Sequence, residues 1–397
     1  MCAQVREVET AMFRFDEIDK AIADLAAGRP VIVVDDVGRK NEGDIVFAAE
    51  SATTHLMAFA VRHSSGVICV PMEGHDLDRL QIPTMVHDNR DSMGTAFTVS
   101  VDATDGVTTG ISAADRARTA RVLANPESVA ADLRRPGHVF ALRSRPGGVL
   151  TRRGHTEATV DLMKLAGLAP VGVLVELVND DGTMKRGAEL RVFADAHGLC
   201  LVSIDSLVRY RRRHETLVKR GAVTRLPTPH GIFTAVGFFD SVNKTDHMAV
   251  VRGDVGGQSA VPTWVHSECV IGDVFGSSEC SCRTALTTAL ERLGAGDLGV
   301  VIYVRRKPDT HPLDADREPS RASGNEGCEP NISRAQSADV AALMLRGLGV
   351  VSVRLMTDNS DLTGALRDGA VDVVDGAGGG QHFAQRTHSQ VLDTVPL

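Results

Sequence analysis

Three polar segments in the first half of the chain carry the residue types that a phosphorylated sugar would need. They read RKNEGD at 39–44, TTGISAADR at 108–116, and GHVFALRSRPGGVLTRRGHTE at 137–157. Each lies between apolar runs and is predicted to be a loop, and loops between regular elements are where binding and catalytic side chains concentrate. We therefore predict that the three segments form one active site.

The third segment offers groups that can hold a phosphate. Arg152, Arg153 and Thr156 provide guanidinium and hydroxyl donors near the predicted start of a helix. A helix N-terminus also favours an anion, because its first N–H groups have no partner within the helix. His155 lies among these residues and is a candidate metal ligand.

Other residues of the first half could move protons. Glu42, Asp44 and Glu176 are carboxylates, and His138 can exchange a proton near neutral pH. Any one of them alone is more often a solvated charge or a helix cap. Together they include the parts needed to enolise a phosphorylated ketose.

The cysteines contain one tight group. Of seven cysteines, Cys269, Cys280 and Cys282 lie close together, and the others are scattered. A disulfide framework is not expected in a chain of this size. Three thiolates can bind one Zn²⁺ and leave a fourth position for water, so the spacing favours zinc over three buried thiols.

Hydrophobic spacing predicts the elements that position these residues. In the first half, helices are predicted at 13–29, 113–124 and 156–166, the last opened by a threonine cap, and strands at 31–34, 45–49, 65–70 and 95–101. In the second half, strands are predicted at 232–239, 248–251, 299–304 and 351–355, and helices at 283–293 and 336–348. The irregular alternation predicts an α+β fold.

The chain is long enough for two domains, with 397 residues of which 43% are hydrophobic. RYRRRHETLVKR at 209–220 has few apolar residues and marks the boundary. The predicted organisation is a tail at 1–12, a first domain at 13–208, a basic linker at 209–221, a second domain at 222–374 and a glycine-rich tail at 375–397. The stretch 307–333 is almost free of apolar residues and is predicted to be a mobile loop.

Charge and hydropathy narrow the function classes. A net charge of -8 argues against a nucleic-acid partner, because proteins that bind a phosphate backbone usually carry a basic excess. No run of about 18 apolar residues is present, as a membrane helix would require, and residues 1–17 are too polar for a secretory signal. We expect a cytoplasmic protein without membrane contact.

Six motifs resemble the 3,4-dihydroxy-2-butanone 4-phosphate synthase family over residues 13–213. They are DDVGRKNEGD, TAFTVSVDA, TTGISAADRA, RPGHVFAL, GGVLTRRGHTEA and VDLMKLAGL. The resemblance implies that D-ribulose 5-phosphate is converted to L-3,4-dihydroxy-2-butanone 4-phosphate and formate. It also implies a need for Mg²⁺ (or Mn²⁺) and for no organic cofactor.

The resemblance assigns roles to individual residues. His138 and Glu176 match catalytic residues, and Glu176 also contacts substrate. The remaining matches to substrate-binding positions are Arg39, Asp44, Arg152, Arg153, Gly154, His155 and Thr156. His155 also matches a magnesium ligand. Lys40 stands where the family has a second, glutamate ligand, and this change should weaken Mg²⁺ binding.

The second half resembles GTP cyclohydrolase II over about 224–293, through TRLPTPHGIF, HSEC, FGS and the three cysteines. The resemblance implies a zinc-bound water that attacks the guanine ring. Trp264, Ala285 and Leu362 replace an arginine, a glutamine and a lysine that contact GTP in the family, whereas Glu268 and Thr357 match. We therefore expect zinc binding with loss of GTP cyclohydrolase activity.

Three functions remain open from the sequence. The first domain could make the four-carbon riboflavin precursor, or it could act as a diverged sugar-phosphate lyase or isomerase of specialised metabolism. The chain could instead be a non-catalytic paralogue that pairs with an active subunit. A homodimer is expected, because families with such sites commonly place the pocket at a dimer interface.

Overall fold

The structure is a computed structural model that describes residues 14–35, 41–306, 334–356, 360–368 and 371–374. Outside these residues lie the predicted terminal tails, the predicted loop 307–333, and Arg39, Lys40 and Thr357. The chain divides into two compact units between Leu217 and Val218. Within the described ranges, every helix is too short or too polar to cross a membrane.

The first unit is built on a mixed sheet of seven strands. They are β1 (Val31–Val34), β2 (Gly43–Ala48), β3 (Cys69–Met72), β4 (Phe97–Ala103), β5 (Leu133–Arg143), β6 (Gly172–Glu176) and β7 (Cys200–Ser203). Their order in the sheet is β4-β5-β3-β6-β2-β1-β7. β2 pairs antiparallel with both β1 and β6, which brings segments distant in sequence side by side.

Helices cover both faces of this sheet. They are α1 (Ile18–Ala26), α2 (Thr54–Arg62), α3 (Gly74–Arg79), α4 (Ala113–Ala124), α5 (His155–Leu165), α6 (Ala188–His197) and α7 (Ile204–His214). In β1, Ile32 and Val34 pack into the core that contains α2 and α4, whereas Val31 and Val33 pack into the core that contains α1, α5 and α7. Because both faces are buried, the strand is apolar at every position.

The second unit has its own seven-stranded sheet. Its strands are β8 (Val218–Thr228), β9 (Gly231–Asp240), β10 (Thr245–Arg252), β11 (Val261–Ser267), β12 (Gly299–Val304), β13 (Ser352–Leu355) and β14 (Asp372–Val373), in the order β14-β13-β11-β12-β10-β9-β8. Helix α8 (Cys282–Gly294) packs on one core, and α9 (Arg334–Gly347) and α10 (Ser360–Asp368) pack on the other. The predicted architecture of two α+β domains is confirmed.

Two local predictions for the first unit were wrong. His138 lies on strand β5 and not in a loop. The sequence concealed this strand because Pro136 and Gly137 have low strand propensity. Helix α5 is preceded by Gly154, without a side-chain cap, so Thr156 is inside the first turn and is not the predicted cap.

The basic stretch predicted as a linker at 209–221 is mostly regular structure. Residues 209–214 are the last turns of α7, and residues 218–221 begin β8. Two of its arginines pair with acidic residues of the first unit: Arg209 with Asp205, and Arg211 with Asp161.

Candidate active site

A cavity of about 380 Å³ lies in the first unit at the edge where β2 and β6 meet α5. Of the residues predicted for the site, those that line it are Glu42, Asp44, Arg152, Gly154, His155, Thr156 and Glu176. Asp44 and Glu176 are directly opposite each other in the β2–β6 ladder, so their side chains lie on the same face. Because Asp44 and residues 152 and 154–156 line the same cavity, the first and third polar segments meet there.

Asp44 gives the cavity a buried acidic wall. Asp44 is only 3% exposed, and burial raises the pKa of its carboxyl group to about 6. His155 opposes the shift, whereas Glu176, Asp35 and Glu42 add to it. Within the described residues, Asp44 Oδ1 has no hydrogen-bond partner. A buried carboxylate is costly unless a cation or donor compensates it, so the wall suits a bound cation or a ligand rich in hydroxyls.

His155 is oriented as a metal ligand would be. Its Nε2 lies 3.1 Å from the carbonyl oxygen of Val33, and its Nδ1 lies 3.7 Å from Asp44 Oδ2. A carbonyl only accepts, so Nε2 carries a proton and can leave the lone pair of Nδ1 facing Asp44. Metal-bound histidines commonly donate their other ring N–H in this way. His155 and Asp44 therefore fit a Mg²⁺ ion that keeps several of its waters.

Arg152 connects two walls of the cavity. Its guanidinium donates to Glu157 Oε2 at 2.5 Å, to the carbonyl oxygen of Met93 at 2.9 Å and to Thr95 Oγ1 at 3.2 Å. Glu157 is 1% exposed and also accepts from the Arg145 amide. Sequence reasoning missed Glu157, although it lies in the RRGHTEA motif. Thr156 lines the cavity and lies in the first turn of α5, whose first N–H groups have no partner within the helix.

Arg153 points elsewhere. It lies 3.4 Å from Asp205 Oδ1 of α7, and it is not among the residues that line the cavity. Cys69 does line the cavity, and burial raises its pKa to about 12, so it is a neutral thiol there.

His138 belongs to a different cluster. Its Nδ1 lies 2.7 Å from Asp102 Oδ2, and Gly110 of the second polar segment packs against this pair with no room for a Cβ atom. The residue of β5 that lines the cavity is Leu142, four residues after His138. At the usual rise per strand residue, about 13 Å separates His138 from Leu142 along the strand. Within one chain, the three polar segments therefore form two clusters and not the single site predicted.

The three cysteines of the second unit do come together. Their ligand atoms all lie within 4.8 Å of one another, and the Sγ atoms of Cys269 and Cys280 are 3.9 Å apart. Two thiolates on one tetrahedral zinc would be about 3.8 Å apart, given Zn–S bonds of about 2.3 Å. Cys269 directly precedes a π-helical turn at Val270–Val274, and Cys282 opens α8. The donor set fits zinc.

Hydrogen bonds to the Asp273 carboxylate fix the position of Cys269. It accepts from the Cys269 amide at 2.9 Å, from His266 Nε2 at 3.0 Å and from the Tyr303 hydroxyl at 2.8 Å. Burial would raise the pKa of Asp273, but the hydrogen bonds from His266, Cys269 and Tyr303 outweigh it and lower the pKa. Sequence reasoning missed this support.

Two of the altered GTP-contacting positions lie in apolar clusters. Trp264 packs against the cluster that contains Ala289 and Leu293 of α8, and Leu362 is buried in the same cluster as Leu366.

Comparisons with known proteins cover both units. The model of the 3,4-dihydroxy-2-butanone 4-phosphate synthase family matches residues 19–210, and that of GTP cyclohydrolase II matches residues 219–377. The riboflavin biosynthesis protein RibBA of Nocardia farcinica is 50% identical over 360 residues, which are 88% of this chain and 86% of that protein. RibBA of Mycobacterium tuberculosis is 47% identical over 364 residues, 88% of this chain and 85% of that protein.

A solved structure extends the similarity to the fold of the whole chain. RibBX of A. baumannii, described as a two-domain 3,4-dihydroxy-2-butanone 4-phosphate synthase, has a TM-score of 0.71 at 30% identity and covers 91% of this chain and 100% of its own. With both family models matched in order and 50% identity to a RibBA protein over 88% of its length, the chain belongs to the RibBA family of bifunctional riboflavin biosynthesis proteins.

Proposed function

We propose that the first unit converts D-ribulose 5-phosphate to L-3,4-dihydroxy-2-butanone 4-phosphate and formate. The observation that carries this proposal is the cavity where Asp44, Glu176 and His155 face the N-terminus of α5. The match of the first unit to the synthase family model supports it, and so does RibBX of A. baumannii, which is described as a two-domain synthase. The RibBA relatives are described as riboflavin biosynthesis proteins.

Each group of the cavity has a role in this reaction. The Thr156 hydroxyl and the first N–H groups of α5 bind the substrate phosphate. Glu176 accepts and returns protons on the sugar carbons, and Asp44 accepts hydrogen bonds from sugar hydroxyls. His155 and Asp44 would hold Mg²⁺ or Mn²⁺, which would supply positive charge against developing negative charge on the substrate oxygens. Arg39, the remaining predicted substrate contact, lies outside the described residues.

The separation of His138 from the cavity supports a homodimer. In a twofold dimer, the His138 cluster of each subunit can face the cavity of the other. Exposed apolar side chains lie beside both clusters: Val67 and Phe97 line the cavity, and Ile111 follows Gly110 next to His138. Apolar surface of this kind is typical of an interface. We propose that His138 acts in the partner's cavity.

The test of the synthase is formate production from ribulose 5-phosphate by the purified chain with Mg²⁺. We expect the native chain to form formate and to require more Mg²⁺ than Lys40→Glu, which restores a carboxylate. A difference of about tenfold in the half-saturating Mg²⁺ concentration is expected for one metal ligand. Formate produced only by Lys40→Glu would overturn the proposal and would favour the non-catalytic alternative.

For the second unit, we infer zinc binding by Cys269, Cys280 and Cys282. Metal analysis of a reducing preparation should give about one zinc per chain, lost in Cys280→Ser. Cys200→Ser is the control, because Cys200 is a buried cysteine of the first unit outside the cluster. A native chain without zinc, or a Cys280→Ser variant that keeps it, would contradict the assignment.

GTP ring opening by a zinc-bound water is a second candidate function, favoured by the cysteine cluster. The expected loss of GTP cyclohydrolase activity is not supported, because the described residues keep all three metal-binding cysteines. Consumption of GTP by the zinc-loaded chain, abolished in Cys280→Ser, would establish this function. A chain that holds one zinc and leaves GTP unchanged would establish the loss.

A further inference from the structure

Helix α7 touches the active-site segment through a nearly buried arginine that the proposed function does not use. Arg211 donates to the carbonyl oxygen of Gly147 at 2.9 Å and to Asp161 Oδ2 at 2.7 Å. Its Nε and Nη2 atoms donate to the two oxygens of the Glu215 carboxylate, at 2.6 and 2.8 Å. The Arg211 side chain is 12% exposed and that of Asp161 is 5% exposed. This residue therefore joins the C-terminal end of α7 to the turn before α5.

The turn itself is built around the Asp161 carboxylate. Asp161 Oδ2 also accepts from the Val149 amide at 2.8 Å. Gly148 has a φ of +62°, and a Cβ atom there would collide with Asp161. Only glycine allows the backbone to approach the carboxylate so closely. The turn at Gly148–Leu150 thus has its shape set by α5 and α7 together.

The same turn leads into the residues of the cavity. The Arg152 amide donates to the carbonyl oxygen of Gly148, and Gly154, His155 and Thr156 follow directly. Asp161 lies one helical turn after Glu157 on α5, and Glu157 holds the Arg145 amide at the other end of the connection. Two buried carboxylates of one helix therefore hold the Arg145 and Val149 amides, at two points of the connection that leads into the predicted phosphate and metal contacts.

We propose that Arg211 is a positioning residue for the synthase reaction, acting through Gly147 and Asp161 on the placement of residues 152–156. The proposal rests on the synthase function proposed above. Arg211 does not line the cavity, and its effect is to keep Thr156 and the start of α5 where a phosphate binds. Small displacements of such donors have large effects on binding and rate.

The test compares Arg211→Met with Arg191→Met in the full chain. Arg191 is a matched control, because its side chain is 17% exposed, it pairs with Asp16 and Asp195 in the same unit, and it does not line the cavity. We expect Arg211→Met to raise KM for ribulose 5-phosphate about tenfold, with a smaller change in kcat, as is typical for residues that orient a ligand-binding group. Arg211→Lys should recover part of the loss.

Two readouts do not depend on turnover. We expect Arg211→Met to weaken binding of inorganic phosphate in calorimetry and to speed hydrogen exchange of the Val149 amide, whereas Arg191→Met changes neither. If Arg211→Met does not fold, Asp161→Asn keeps the shape of the side chain and removes the charge that Arg211 pairs with. Equal effects of the Arg211 and Arg191 variants on phosphate binding would overturn the proposal.

These readouts also separate this proposal from the proposed function. A native chain that forms no formate, but whose phosphate binding and Val149 exchange respond to Arg211→Met alone, would refute the synthase assignment and leave the positioning role intact. An active native chain in which Arg211→Met and Arg191→Met behave alike would support the synthase assignment and refute the positioning role.

Discussion

A mixture of two inactive variants, His138→Ala and Glu176→Gln, is expected to regain about one quarter of native formate production, because a twofold dimer pairs each cavity with its partner's residues. Each substitution alone should lower the rate by about 10²–10⁴-fold, since each removes a general acid or base. After random exchange of subunits, about half of the dimers contain one copy of each variant. One of the two cavities in such a dimer has both residues intact.

The control mixture replaces His138→Ala with His155→Ala. His155 lines the same cavity as Glu176, so each of the two cavities in the mixed dimer carries one substitution. Neither cavity is intact, and no activity should return. Exchange of subunits is verified by mass spectrometry of differently tagged chains. A mixture that has exchanged and stays inactive would show that His138 does not act across the interface.

The second large effect is expected for His155→Ala. The substitution removes the Nδ1 atom that faces Asp44 and the hydrogen bond to Val33 that orients the ring. Binding of Mn²⁺, measured by electron paramagnetic resonance, should weaken by at least about tenfold. Formate production should fall by about 10²–10⁴-fold, because the charge of the enediolate is then poorly compensated.

His63→Ala is the matched control for this experiment. His63 is a partly buried histidine of the same unit, and it lines a separate cavity with Arg62, Lys185 and His197. Its replacement should leave Mn²⁺ binding unchanged. Native Mn²⁺ affinity in His155→Ala would show that the metal is held elsewhere.

Local patterns in the sequence were enough to predict several elements at their observed bounds. The apolar run Val31–Val34, the helical spacing of Ala113–Ala124 and the run Gly299–Val304 were all correct, because each pattern fits one type of element. The cysteine group was also predictable, since its ligands lie in one short segment. The structure places all three within metal-binding distance of one another.

The pairing of distant residues could not be predicted from such patterns. Asp44 meets Glu176 because β2 lies beside β6, whereas His138 lies four residues before Leu142, the residue of β5 that lines the cavity. Strand order in a mixed sheet is decided by long-range packing, and the order of residues along the chain does not reveal it. The roles of Asp102, Asp161 and Arg211 were missed for the same reason.

The basic stretch was misjudged for a different reason. Its arginines have few apolar neighbours, and such runs are typical of solvated segments. The residues that anchor the helix, Ile204, Leu207 and Val208, come earlier and are buried. Of the arginines that follow on the same helix, Arg209 pairs with Asp205 and Arg211 pairs with Asp161.

The position of Arg211 has a practical consequence for dividing the protein. A gene truncated after residue 208 would encode a first unit that lacks the last turns of α7, and with them both Arg211 and Glu215. Asp161 would then remain buried without its cation, and the carbonyl of Gly147 would lose its donor. A stand-alone synthase fragment should therefore extend at least through Glu215.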